Sequence, residues 1–151
     1  MSTTTAQAWF VAGTIVAMVA GALHVFFALV DTVRPTYFAP VDPSVRPAME
    51  GTGIRLRRLA PGGSRATLSI WRVWLGVNIG FGLGLFTFGL LCLLIALEDF
   101  GLVERIDAIR PLTIAFCATF LAVALRFFFY VPVLIMAGAT ACFTVATVLS
   151  A

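Results

Sequence analysis

The sequence predicts an all-α fold: a four-transmembrane-helix bundle with a long cytoplasmic loop between helices 1 and 2 and with both termini outside. Three observations lead there. Of 151 residues, 61% are hydrophobic and only 11% charged, whereas a soluble domain is nearer half apolar and a quarter charged. The apolar residues gather in four long runs. The charges lie almost entirely between those runs, and ten basic residues, all Arg, outnumber seven acidic ones. So apolar a chain cannot cover its own surface with polar groups, and the excess must face lipid.

The first run spans about residues 9–30, the second 70–97, the third 112–130 and the fourth 131–150. Crossing a bilayer takes ~20 helical residues at ~1.5 Å each. Helices are the expected form, because no backbone group can stay unpaired in hydrocarbon. The first and fourth runs fit that length. The second is longer and is expected to tilt or to extend beyond the lipid. The third carries Arg126 near its end, which must snorkel or find a partner. No basic residue precedes Arg34, and the first run is too long for the apolar core of a signal peptide, so it is expected to be a retained helix. The whole chain, 1–151, reads as one domain.

The connections differ in character. Loop 1, residues 31–69, is interrupted by Pro35, Pro40 and Pro43. Within it, Asp42-Pro43-Ser44 is expected to start a short interfacial helix over about 43–50, with Gly51 and Gly53 ending it. Pro61-Gly62-Gly63 reads as a turn before helix 2. Loop 2, Glu98 to Arg110, is short and acidic. Pro111 suits the first turn of helix 3. Loop 3 is almost absent, with Pro132 restarting the chain as helix 4. Loop 1 holds Arg34, Arg46, Arg55, Arg57, Arg58 and Arg65, with Arg72 just after it. By the bias of basic residues toward the inner side, loops 1 and 3 are expected in the cytoplasm. The basic run Arg55, Arg57 and Arg58 suits anionic headgroups. Arginines that flank apolar runs report orientation, so nucleic acid is not an expected partner.

Small residues recur at a spacing of four. Helix 1 carries Gly13, Ala17 and Gly21, and helix 2 carries Gly76, Gly80 and Gly84. Such stripes let membrane helices approach closely, so helices 1 and 2 are expected to pack through them. Internal packing is favoured over a homodimer seam.

Counting from the helix ends puts His24 and Asn78 at one depth, ~10 Å inside the cytoplasmic boundary. Asp31 shares a face with His24. Arg72, Arg126 and Glu50 lie toward the same end. His24, Asp31, Asn78, Arg72, Arg126 and Glu50 therefore form a candidate polar or ligand cluster. Ionisable groups inside a membrane suggest a headgroup, small-molecule or proton site. The plainer reading, weighted more heavily, is that His24 and Asn78 hydrogen-bond each other as interhelical glue, with the arginines on lipid phosphates.

Much chemistry is not expected. His24 is the only histidine, too few for a zinc site of three or four ligands. Cys92, Cys117 and Cys142 fall on three different helices with no Cys-x-x-Cys, and they read as small packing residues. A Cys92–Cys117 disulfide is conceivable from their depths. The glycines of helix 2 do not follow a strand, so no dinucleotide fingerprint exists. No catalytic residues, metal or cofactor are expected. Phe127, Phe128, Phe129 and Tyr130, with Trp71 and Trp74, read as an interfacial aromatic belt.

The run Phe38-Ala39-Pro40-Val41-Asp42-Pro43, then Met49, then Trp71-Arg72-Val73-Trp74-Leu75-Gly76-Val77-Asn78 resembles an uncharacterised family of small bacterial four-helix integral membrane proteins. The likeness covers helix 1, the long loop and helix 2. Members of that family follow the Asn with Ser-His, where this chain has Ile79-Gly80. The resemblance implies the fold and supplies no activity. Length, helix number and the long first loop also look like the membrane-associated eicosanoid and glutathione metabolism enzymes. Those enzymes carry an Arg/His/Asn/Glu pattern on helix 2, and here Arg72 and Asn78 stand without the His or Glu.

The expected function is non-catalytic: an accessory, assembly or scaffold subunit of a membrane complex in a bacterial inner membrane. Its expected partners are membrane lipids and other membrane subunits or a second copy of itself. The alternatives are a small enzyme or binder for a lipid-like ligand at the polar cluster, and a homo-oligomeric channel or transporter. The outer halves of all four helices are apolar, which counts against a wet path.

Overall fold

A computed structural model describes residues 3–55 and 67–150. Six helices appear in the order α1 (Thr3–Val33), α2 (Val45–Gly51), α3 (Ile70–Glu98), α4 (Phe100–Arg105), α5 (Ile109–Phe127) and α6 (Tyr130–Leu149). Four of them, α1, α3, α5 and α6, are long and apolar enough to cross a membrane. These are the four apolar runs of the sequence. Only 17–28% of the residues in each span are buried within the chain, so most of each span's surface is left for lipid or for a partner helix.

Helix-breaking signals act locally as their chemistry requires. Asp42 accepts hydrogen bonds from the backbone N–H and the hydroxyl of Ser44 at 2.8 and 2.7 Å. This Asx-type turn holds Ser44 outside the helix, so α2 begins two residues later than the expected 43. Between α5 and α6 only Phe128 and Phe129 are extended, and two such residues suffice to reverse the chain. Pro132 is the third residue of α6, where its missing N–H leaves no helical bond unmade.

Two elements go beyond the expectations. Gly53–Arg55 (β1) pairs antiparallel with Thr67–Ser69 (β2), with Ile54 opposite Leu68. The Ile70 N–H also donates to Thr52 O at 3.0 Å, so α3 rises directly out of this ladder. The acidic second connection contains α4, which buries Phe100 and Val103. The expected turn at Pro61-Gly62-Gly63, together with Arg57, Arg58 and Arg65, lies outside the described residues.

The chain divides into two compact units, Met1–Ala22 with Gly84–Ala151, and Leu23–Leu83. The first has an apolar core. Phe10 is fully enclosed and meets Phe100 and Phe143 edge-on, with centroids at 5.9 and 5.1 Å. Phe88 stacks on Phe116 at 3.9 Å. Gln7 donates its side-chain amide to Ala96 O at 2.8 Å. Thr14, Thr113, Thr140 and Thr147 return their hydroxyls to carbonyls three or four residues back, which satisfies them without a partner helix. Cys92, Cys117 and Cys142 are free thiols, the first two buried.

The small-residue stripes divide. Gly13, Ala17 and Gly21 on α1 are buried, as expected. Gly76, Gly80 and Gly84 are not: all three are exposed, and a Cβ built on any of them would meet nothing within 4 Å. Helix α3 instead turns Trp71, Leu75, Asn78, Gly82, Leu85, Gly89, Cys92 and Ala96 inward. That alternation of four and three is the period of left-handed helix packing. Helices α1 and α3 approach closely at Gly89. A Cβ there would lie 2.6 Å from Met18 N and 2.8 Å from Thr14 O. The two helices therefore pack together, but through a face of α3 that the stripe of four did not indicate.

Candidate functional site

The polar residues of unit Leu23–Leu83 gather where α1 and α3 pair. Asn78, 7% exposed, sits on the inward stripe of α3. Its side-chain NH₂ donates to Trp74 O, one turn earlier on the same helix, at 2.8 Å. That bond fixes which way the amide points and aims Oδ1 at α1. There it lies 3.1 Å from His24 Nε2. Because Oδ1 can only accept, Nε2 must carry the proton. In the neutral ring Nδ1 is then the acceptor.

Two aromatic rings stand close to the imidazole. Phe38 stands 4.8 Å from it and Phe81 5.1 Å, each tilted by about half a right angle. Phe38 comes from the chain after α1, and two further contacts hold that chain in place. Trp74 donates its indole N–H to Phe38 O at 3.1 Å. Asp31, wholly buried, accepts three backbone N–H bonds. Its Oδ1 takes Thr36 and Tyr37 at 2.7 and 2.9 Å, and its Oδ2 takes Phe38 at 2.5 Å. A carboxylate at a membrane helix end is costly without partners. Here the departing chain supplies the partners, and the helix end and the loop become one folded piece.

The six residues of the expected cluster thus have separate fates. His24 and Asn78 meet directly. Asp31 turns to the loop amides. Glu50 pairs with Arg46 one turn away on α2, at 3.0 Å, and Arg46 also lies over the Trp71 ring at 5.6 Å. Arg72 is exposed, with its guanidinium on no described residue. Arg126 belongs to the other unit and packs over Phe127 at 5.3 Å. Sequence reasoning missed the two groups that close the site, Phe38 and the Trp74 indole. A signal existed: Trp74 is one helical turn before Asn78, on nearly the same face.

Among the described residues, no group of three or more His, Cys, Asp or Glu is placed to hold a metal ion. No buried side-chain nitrogen or oxygen among them lacks a hydrogen bond. Comparison with known protein families, with curated proteins and with solved structures finds no match for this chain.

Proposed function

We propose that this is a non-catalytic multi-pass protein of a bacterial inner membrane, serving as an accessory or scaffold subunit of a membrane complex. The connection between α1 and α3 and the α5–α6 turn face the cytoplasm, and both termini face outward. The arginine distribution supports that orientation. The observation that carries the functional reading is how the intramembrane polar groups are used. Asp31 is occupied by three backbone amides, and the Asn78 amide by Trp74 O and His24. Groups committed to holding the fold are not available to activate a substrate, and chemistry needs a group aimed at the reacting atom. The spans meanwhile leave most of their surface uncovered, including the small-residue stripe Gly76, Gly80 and Gly84.

One observation favours a second reading, the binding of a lipid-like ligand. His24 Nδ1 receives no hydrogen bond from any described residue, and two aromatic rings stand beside the imidazole. A hydroxyl-bearing amphiphile would suit such an acceptor.

Native mass spectrometry of protein extracted gently into nanodiscs separates the two. A reproducible heteromeric mass, retained in His24→Ala, supports the subunit. A single chain or homo-oligomer carrying a small molecule that is lost in His24→Ala overturns it in favour of the ligand.

A further inference from the structure

The charge of this protein is unevenly placed. Residues 23–83 hold seven arginines and three acidic residues, a net +4. The remainder holds three arginines and four acidic residues, a net −1. Moreover, the three acids of the basic unit are all engaged. Asp31 is filled by backbone amides, Asp42 binds Ser44, and Glu50 is paired with Arg46. Nothing acidic among the described residues of that unit is left for Arg34 or Arg72. Both are exposed, and neither guanidinium contacts a carboxylate among them.

These two arginines lie on the same side of the bilayer. The His24–Asn78 bond sets a common level for α1 and α3. Arg34 follows ten residues after His24, ~15 Å along the axis, and Arg72 lies six residues before Asn78, ~9 Å along the antiparallel helix. This end of the unit also carries exposed apolar and aromatic side chains: Val33 is 88% exposed, and Tyr37 and Trp74 are also exposed. Exposed Trp and Tyr rings at the end of a membrane span mark the boundary of lipid and water.

We propose that this end of the protein binds anionic phospholipid headgroups, with Arg34 and Arg72 donating to the phosphates. The guanidinium fork matches a phosphate in two-point geometry. A lipid is the occupant rather than a polynucleotide because the same surface carries exposed Val33 and Trp74, which nucleic acid would leave in water and acyl chains would cover. The surface does not depend on the subunit reading: a protein with no partner would still show it.

The test uses the full chain in nanodiscs of equal phosphatidylglycerol and phosphatidylcholine, with retained lipids identified by native mass spectrometry. Wild type keeps phosphatidylglycerol in preference. Arg34→Gln and Arg72→Gln each lower that preference about fivefold, and rising salt lowers it too. Arg34→Lys keeps much of it, since the charge remains. Arg105→Gln, in the other unit and already paired with Asp99, leaves it unchanged. Far-UV circular dichroism shows that each variant is folded. Equal retention of the two lipids by wild type overturns the proposal, as does an unchanged preference in the folded Arg34→Gln, Arg72→Gln double variant. Displacement of the lipid by millimolar inorganic phosphate or by an oligonucleotide overturns it as well, in favour of a general anion site.

Discussion

Gly80→Ala and Gly89→Ala add the same methyl group to the same helix, nine residues apart, and the packing requires opposite outcomes. At Gly89 the new carbon would lie 2.6 Å from Met18 N, 2.8 Å from Thr14 O and 2.9 Å from Met18 Cα. All three are backbone atoms, so no side chain can swing away. Ordinary contact begins near 3.4 Å, and α1 and α3 must therefore separate locally by about 0.8 Å. A gap of that size forfeits a quarter to a half of each dispersion contact along the seam, and overpacking of this kind costs ~1–3 kcal/mol. At Gly80 nothing stands within 4 Å. The added methyl only removes backbone freedom, and it is neutral or stabilises by up to ~1 kcal/mol. Reversible unfolding in mixed micelles of mild detergent and sodium dodecyl sulfate reads the difference directly. Gly89→Ala should unfold at a lower dodecyl sulfate fraction than wild type, and Gly80→Ala at the same or a higher one. Equal midpoints, or a greater loss at Gly80, would refute the inward face assigned to α3.

Asp31→Ala removes the acceptor of three loop amides from a fully buried place. It should cost ~3 kcal/mol, and hydrogen exchange should show faster exchange at Thr36, Tyr37 and Phe38 while α5 and α6 stay protected. His24→Ala loses one interhelical bond, measured elsewhere in membrane bundles at ~0.6 kcal/mol and at most ~1.7, plus its contacts with Phe38 and Phe81. A stability loss far above that, or a lost partner, would show that His24 does more than join helices. In ¹⁵N spectra the neutral His24 ring should carry its proton on Nε2, as Asn78 Oδ1 requires. Asp99 is held below the ordinary carboxylate range by its hydrogen bond from Arg105. Its pair is therefore complete above pH ~4 and is lost as pH falls through the lowered value. Carboxyl ¹³C titration should show Arg105→Gln returning Asp99 toward the ordinary range.

The four spans were legible because lipid leaves so little latitude: a run of apolar residues long enough to cross must close its own hydrogen bonds as a helix. The meeting of His24 and Asn78 was legible for a related reason, since two polar groups at one depth have only each other. Faces were harder. Three glycines at a spacing of four draw attention on α3, but they line up only along that helix's own surface. Asn78 was the better guide. Gly80 lies two residues from it, ~200° around the helix, whereas Gly82 and Gly89 follow at four and eleven residues, on its own side. The partners of Asp31 were hidden because they are main-chain amides, which no side-chain pattern announces. Helix α4 had a small signal, Phe100 and Val103 three apart in an otherwise acidic stretch. The β1–β2 ladder had less, since three-residue strands show almost no alternation.

The Asn78 amide is held by Trp74 O whether or not α1 is present, because both ends of that bond belong to α3. Its Oδ1 is thus aimed before the helices meet, and His24 is the one group on α1 that answers it. Apolar surfaces slide past each other with little to distinguish one alignment from the next. A displacement of one turn, ~5.4 Å, would strand the imidazole against hydrocarbon and leave the amide oxygen facing nothing. The pair works as an index pin in a sliding joint: its modest bond adds little to the strength of the joint, but it allows α1 and α3 to lock at a single notch.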